Sequence, residues 1–459
     1  MIGLHGAPDA MSVHRQTRGP RALRKSTLKS ETSEAPTGHR GRGRPSQFDD
    51  RRLDVLAAAA DTINEDGLTN ASLEIVASKL SLNKTSLYYY FKNKEELVYK
   101  CYQRACEIGR GHAEQAVNSA GDGRAKLEKY IALQLDDNGP MVTFVSDVTL
   151  LSDPHKVEIL RLAREHDAFV RAILEEGAKD GSLRPTNSHL TSLGIIGVLN
   201  WTLVWWRPSR GPLTANQLGQ AYTDLFLHGI RPAGPAARDW PAPVMISTAP
   251  PETQDVFSRS FQAGLRREAL FKAASLFFNQ NGYDNSNLDK IVDHLGVSKG
   301  ALYHYVSSKE ELLYGCYSRS LDLIEQVLQT IEREPGDGVA KFARYIGSMI
   351  ALHAGPLGPL ANFARLKSLT PEHQDEVHRR SQALQRFGAD ILRLGIADGS
   401  IRPLDVRIAR LALISAINWV PKWYSPSGRH SPAEISAAFS DLFVNGLIPR
   451  DQGFSRIET

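Results

Sequence analysis

The sequence predicts an all-α chain built as two tandem copies of one helical unit. Three observations carry this: an internal repeat, apolar residues recurring at three- and four-residue steps, and no convincing run of alternating strand residues. Leu87 to Arg104 matches Leu302 to Arg319 at an offset of 215 residues. Gly67, Leu73, Leu80 and Lys84 then fall on Gly282, Leu288, Leu295 and Lys299, and Tyr130-Ile131 falls on Tyr345-Ile346. After a three-residue insertion, Asp180-Gly-Ser-Leu-Arg-Pro185 returns as Asp398-Gly-Ser-Ile-Arg-Pro403. Asn200-Trp201 and Trp205 return as Asn418-Trp419 and Trp423, and Asp224-Leu-Phe226 and Gly229 as Asp441-Leu-Phe443 and Gly446. The second copy therefore repeats the whole unit.

The elements follow in order. Residues 1–47, rich in Gly, Pro, Ser and Arg, are expected to form a disordered basic tail. In residues 48–110, Leu53, Leu56, Ala57, Ala60 and Ile63 mark a first helix that Gly67 should stop. Leu270, Phe271, Ala274, Phe277, Phe278 and Gly282 repeat it in residues 259–325. Ser72 and Asn287 are N-cap candidates for a second helix, whose positive end Glu74 and Asp289 favour. A tight turn, Ser81 to Asn83 or Gly296 to Ser298, leads to a short third helix, Lys84 to Tyr89 or Lys299 to His304. A long fourth helix begins near Lys94 and Lys309. Further amphipathic helices fill residues 111–230 and 326–448. Between the copies, residues 231–258 hold six prolines and little periodicity, which reads as a linker.

Composition narrows the class. The 459 residues are 42% hydrophobic and 23% charged, which excludes a disordered chain, a collagen and a coiled-coil rod. Three cysteines exclude a disulfide scaffold and a four-cysteine metal cluster, and point to a reducing compartment. No run of about 18 apolar residues occurs, so no membrane span is expected. The basic N-terminus has no apolar segment behind it, so a secretory leader is not expected and a cytoplasmic, nucleoid-associated location is. The net charge of +4 conceals an asymmetry: residues 1–47 carry nine Lys/Arg against three Asp/Glu, or +6, and the rest sums to −2. A basic tail suits a polyanionic partner.

Two short helices joined by a tight turn make a helix-turn-helix, whose second helix enters the DNA major groove. In that arrangement Lys84 and Lys299 donate to guanine or phosphate oxygens. Tyr88 and Tyr303 offer a hydroxyl to phosphate and a ring to a thymine methyl. Lys94 and Lys309, with the backbone amides at the start of the fourth helix, suit a phosphate. Ser72 and Asn287 belong to the same candidate DNA face. Leu87, Tyr90, Phe91 and Leu97 read as core. The recognition helices differ at Asn83/Ser298, Thr85/Gly300 and Tyr89/His304, so the two half-sites need not be identical.

The blocks Gly67 to Glu96 and Gly282 to Glu311 resemble the TetR family of transcriptional regulators. Gly296-Val-Ser-Lys-Gly-Ala-Leu-Tyr-His-Tyr305, followed by Lys309-Glu-Glu-Leu312, is close to that family's recognition-helix pattern. The resemblance implies, in each copy, a three-helix DNA-binding head and a helical body that binds a small ligand and dimerises. Members are mostly repressors released from DNA by the ligand. Copy one departs at Ser81, where glycine is usual and a positive φ would cost a serine more, and at Thr85. Copy two has Val306 in place of an aromatic residue.

In the bodies, Trp201, Trp205, Trp419 and Trp423 mark aromatic-rich helix ends, and the helices that follow close on Phe226 and Phe443. By resemblance these form a four-helix dimer interface, in keeping with the aromatic bias of interfaces. A ligand-pocket wall and plain core are the rival readings. The Asn-Trp…Trp pattern is similar to TetR-type regulators that sense acyl-CoA thioesters. In the tail, Gly41-Arg-Gly-Arg-Pro45 resembles an AT-hook core, with Arg42 and Arg44 entering a narrow minor groove; a generic phosphate-attracting tail is the alternative.

Cys101 and Cys316 are equivalent positions that read as packing. The fourteen histidines are scattered, and no zinc-protease motif, phosphate loop or nucleophile elbow is present, so no catalytic residue, metal or cofactor is expected. The resulting expectation is a ligand-responsive DNA-binding regulator, a repressor, with two heads per chain on an imperfect palindromic operator. Its partners are double-stranded operator DNA and a small-molecule effector, an acyl-CoA or another apolar ligand. Its assembly is an intramolecular pseudo-dimer or a homodimer of chains. The 28-residue linker can extend to at most ~90 Å, beyond the roughly 35 Å between half-sites. The alternative is a ligand-sequestering helical protein with one degenerate head.

Overall fold

The computed structural model describes residues 47–450 apart from 71, 137–141, 143–144, 146–147, 149–150, 207–212, 238, 247–258, 282, 284–286, 297 and 362. Among the described residues the regular elements are helices and no strand occurs. Copy one contributes α1 (Gln47–Asn70), α2 (Leu73–Lys79), α3 (Lys84–Leu87), α4 (Lys94–Val117), α5 (Gly123–Gln134), α6 (Asp153–Asp180), α7 (Ser188–Trp205) and α8 (Ala215–His228). Copy two repeats them as α9 (Arg259–Asn281), α10 (Leu288–Leu295), α11 (Lys299–Tyr303), α12 (Lys309–Arg333), α13 (Gly338–Ala354), α14 (Pro371–Asp398), α15 (Val406–Trp423) and α16 (Pro432–Ser440), the last continued by a π-helical turn, Asp441–Asn445.

Each head closes on its own small core. In unit one Val55, Leu56, Ala59, Ile63, Val76, Leu87, Phe91 and Leu97 pack together. In unit two Leu270, Phe271, Ala274, Phe277, Ile291, Leu302, Val306 and Leu312 do so. Val306 occupies the buried place of Phe91, so the loss of the aromatic shrinks the core without opening it. Cys101 and Cys316 are buried in these cores, each thiol directed at a carbonyl of the first helix, Leu56 O and Phe271 O, and burial pushes both thiols up to about 12.

Two details of the first helix differ from expectation. Leu53 is 46% exposed, and the buried stripe runs through Val55, Leu56, Ala59 and Ile63. The helix also passes through Gly67 to Asn70. A single glycine weakens a helix by about 1 kcal/mol but keeps its amide, so it need not stop one.

The bodies share one core to which both units contribute, including Tyr130, Val170, Tyr222 and Phe226 from unit one and Phe342, Ile346, Phe439 and Phe443 from unit two. α7 packs along α15. Gly197 makes that approach possible, because a Cβ there would stand 2.8 Å from Trp419. The rings of Phe226 and Phe443 lie 6.5 Å apart.

The repeated Asp-Gly-Ser-x-Arg-Pro motif has a reciprocal role. Arg184 of unit one donates from Nε to Gly446 O (2.6 Å) and pairs through Nη2 with Asp441 (2.8 Å) of unit two. Arg402 of unit two donates to Gly229 O (2.7 Å) and pairs with Asp224 (2.6 Å) of unit one. Each guanidinium thus caps the last helix of the other unit, supplying donors to carbonyls that a helix end leaves unpaired. The chain ends cross beside them: Leu447 N donates to Leu227 O (2.9 Å) and Ile230 N to Phe443 O (2.9 Å). Gly229 (φ 63) and Gly446 (φ 71) sit at this crossing, where a Cβ on either would stand 2.4 Å from a carbonyl oxygen of the other unit.

The expected linker is partly body. Residues 231–237 and 239–246 are not helical but are docked: Trp240, Val244 and Ile246 pack on the shared core. Val244 N donates to Ser348 Oγ (2.8 Å), and the Asn445 side chain bonds both to and from Ala237 (2.9 Å each). Proline composition signalled the missing helix, not the docking. The units pack directly, so tether reach does not set their arrangement. The tail with Arg42 and Arg44 lies outside the described residues, as do residues 247–258.

Candidate nucleic-acid interface and ligand cavity

In both heads the turn between the second and third helices folds as the residue types require. Ser72 Oγ accepts from Ile75 N (3.2 Å) and Asn287 Oδ1 from Lys290 N (2.8 Å), which starts α2 and α10. α2 ends in a Schellman motif: Leu82 N donates to Ala77 O (2.9 Å) and Ser81 N to Ser78 O (3.1 Å). That geometry puts Ser81 at φ 57, and Gly296 at the same place has φ 62. Asn83 Oδ1 then accepts from Ser86 N (2.8 Å) and Ser298 Oγ from Ala301 N (3.1 Å), which starts α3 and α11.

Only Leu87 and Leu302 of the recognition helices are buried. Asn83, Lys84, Thr85, Tyr88 and Tyr89 form one exposed face, and Ser298, Lys299, Gly300, Tyr303 and His304 the other. Tyr89 is 73% exposed, an unusual placement for a ring with no role at a surface. Sequence reasoning missed what the lysines touch. Lys84 Nζ lies 2.6 Å from Glu74, and Lys299 Nζ lies 2.7 Å from Asp289. The hydrogen bond from Lys84 holds the Glu74 carboxyl below its ordinary range. Such exposed pairs are worth little, so an incoming phosphate can replace the carboxylate.

The start of the fourth helix is less open to an anion than expected. Asn93 Oδ1 accepts from Glu96 N (2.8 Å) and Ser308 Oγ from Glu311 N (3.0 Å), so a first-turn amide is already used. Two carboxylates occupy each first turn. Lys94 and Lys309 are half-buried, and Lys309 Nζ stands 4.0 Å from the Tyr283 ring.

The same turn ties each head to its body. Glu95 accepts from Ser152 N (2.8 Å) and His155 Nδ1 (3.0 Å), and His155 stacks on Tyr99 at 3.9 Å. Glu310 accepts from Thr370 N (3.0 Å) and His373 Nδ1 (2.9 Å), and His373 stacks on Tyr314 at 3.7 Å. The Ser152 amide is the main reason the Glu95 carboxyl is pulled down to about 2. The acid therefore stays ionised and fixes the N-terminus of α6.

The N-terminal half of α6, from Ile159 to Asp167, lines a cavity of ≈ 1130 Å³. Its walls come from both units: Cys106, Gly109, Ile159, His166 and Ile196 from the first, Leu276, Met349, His353 and Leu360 from the second. Trp201, Trp419 and Trp423 line it too, so these three face the cavity where the units meet, while Trp205 packs on the shared core. Burial holds His166 and His353 down at about 4, so both rings are neutral near pH 7. The buried atoms His353 Nδ1 and Trp423 Nε1 have no hydrogen-bond partner among the described residues. Such a volume lies just above the usual range of small-molecule sites, about 300–1,000 Å³, and leaves room for an elongated ligand.

Among the described residues no group of three His, Cys, Asp or Glu side chains could hold a metal, and no helix is long and apolar enough to cross a membrane.

Comparison with known proteins places both motifs. The family described as bacterial regulatory proteins, tetR family, matches residues 55–100 and 270–314. The tetracyclin repressor-like C-terminal domain matches residues 124–230 and 335–447. The HTH-type transcriptional repressor KstR2 of Mycolicibacterium smegmatis is 28% identical over 191 residues, 40% of this chain and 93% of the relative. The fatty acid metabolism regulator protein of Bacillus subtilis is 24% identical over 181 residues, 39% of this chain and 93% of the relative. Among solved structures, AibR in complex with isovaleryl coenzyme A and operator DNA is 22% identical with a TM-score of 0.34, covering 40% of this chain and 100% of that one. KstR2 of Mycobacterium tuberculosis is 25% identical with a TM-score of 0.34, covering 38% and 90%. A relative thus matches over little more than one unit, whereas the family motifs occur twice here. The chain belongs to the TetR family of transcriptional regulators, with two of that family's units in tandem.

Proposed function

We propose that this DNA-binding regulator is a ligand-responsive repressor in which one chain replaces a dimer. The heads, at about residues 48–110 and 259–325, engage the two halves of one imperfect palindromic operator. The bodies, at about 111–230 and 326–448, pair within the chain through α7, α8, α15 and α16. The observation that carries this is the reciprocal clasp of Arg184 and Arg402, which uses in one chain the two-fold exchange expected of a symmetric pair. Joining the heads covalently raises the effective concentration of the second to roughly millimolar.

Lys84 and Lys299 exchange their carboxylate partners for DNA oxygens. Tyr88, Tyr89, Tyr303 and His304 read or brace the groove, and Arg42 and Arg44 add contacts beside head one. The effector is apolar in its buried part, an acyl-CoA being one such molecule. α6 supports the coupling, because its N-terminus is held to α4 through Glu95 and the turns that follow, Ile159 to Asp167, line the cavity.

Lys84→Ala and Lys299→Ala test the head assignment. Each should weaken operator binding and reduce the salt slope of log K by about one. If neither does, the assignment fails. A chain that binds no genomic fragment even at low salt would favour ligand sequestration.

A further inference from the structure

We propose that the cavity takes one elongated, mostly apolar acyl ligand shared by both units, so that a chain binds one molecule and not one per unit. The proposal rests on the ligand-responsive reading above. Its basis is continuity: one cavity of ≈ 1130 Å³ has walls on α4 and α6 of unit one and on α9 and α13 of unit two. Asn200 and Trp201 of α7 and their counterparts Asn418 and Trp419 of α15 also line it, and these two helices pack on each other across the units.

The lining chemistry selects the ligand. Asp136 and Asp167 are balanced by Arg164 and Lys422, and Asp167 is already paired with Arg171 (3.0 Å). The charge left over is then positive, so a cationic group on the ligand would find no counter-charge and burying it would be costly. An aliphatic chain fits the Ile, Leu, Met and Trp walls. His353 Nδ1 and Trp423 Nε1, on two residues of this lining, are buried without a hydrogen-bond partner among the described residues. A ligand spanning the seam touches both units at once, so its binding bears directly on their relative position.

The test is a count of molecules bound to the full chain. Native mass spectrometry is run with oleate and, separately, oleoyl-CoA as probes. One bound copy at saturation of either probe is expected; binding of oleate identifies the free acid as sufficient, and binding of oleoyl-CoA alone assigns the thioester. Ala163→Trp fills the unit-one end and Leu276→Trp the unit-two end. Each should weaken the same single site tenfold or more, with helical circular dichroism unchanged. Two bound copies, or one of two copies lost in each variant, would overturn the shared site, as would no binding of either probe. Operator release is measured apart. One copy bound without release would sink the regulator reading and leave the count standing.

Discussion

Replacing Ser81 with glycine should stabilise head one, and replacing Gly296 with serine should destabilise head two by the same mechanism. Both residues hold the left-handed position after the second helix, with φ 57 and φ 62. A side chain there costs about 1–2 kcal/mol in backbone sterics. Glycine returns about 0.5–1 kcal/mol of this through the freedom it gives the unfolded chain. The net effect is about 0.5–1 kcal/mol. No packing is at stake, because a Cβ at Gly296 meets nothing within 4 Å. The assay is amide hydrogen exchange of the full chain, read separately on α2–α3 and α10–α11. A gain of 1 kcal/mol corresponds to about fivefold slower exchange through opening of the head. Ser81→Gly should slow exchange in head one, and Gly296→Ser should speed it in head two. Unchanged or faster exchange in Ser81→Gly would refute the view that Ser81 is strained.

Three further outcomes follow from contacts. Glu74→Gln and Asp289→Asn remove the carboxylates 2.6 and 2.7 Å from Lys84 and Lys299, and each should tighten operator binding severalfold in a fluorescence anisotropy titration. Arg184→Ala or Arg402→Ala leaves a helix end of the opposite unit uncapped and should cost about 2–4 kcal/mol in urea unfolding. Because the clasp is internal, that loss should not depend on protein concentration. Acid should also destabilise the bodies: His166 and His353 are held at about 4, against 6.5 for an ordinary histidine, so the unfolded chain binds more protons between these values. Stability is full above pH 6.5 and falls towards pH 4, by up to about 1.4 kcal/mol per pH unit for each ring, and urea midpoints at pH 7 and pH 5 read this.

The heads were legible because their information is local. Caps, turn and recognition helix occupy about 30 consecutive residues, and the positive φ of Ser81 could be anticipated from the glycine at its counterpart. The bodies were legible only as a repeat. Asp-Gly-Ser-x-Arg-Pro and Asp-Leu-Phe…Gly were visible as paired motifs, but their meeting across more than 170 residues, as in Arg402 with Gly229, depends on tertiary packing. The cavity was hidden for the same reason: Trp201 and Trp419 read first as interface, with pocket wall a rival, and both line the cavity that the two units share. Trp240, Val244 and Ile246 were the available sign that residues 231–237 and 239–246 would dock, and proline content outweighed them. Lys84–Glu74 and Lys299–Asp289 span neighbouring helices, and helix placement brings them together.

The central claim is that one chain is a complete two-headed regulator. It is tested most directly by the mass of the protein, free and on DNA, in light scattering. The account predicts a single chain of 50.7 kDa in solution and one chain on an operator with two half-sites. About twice that mass without DNA, or two chains on a single operator, would contradict it.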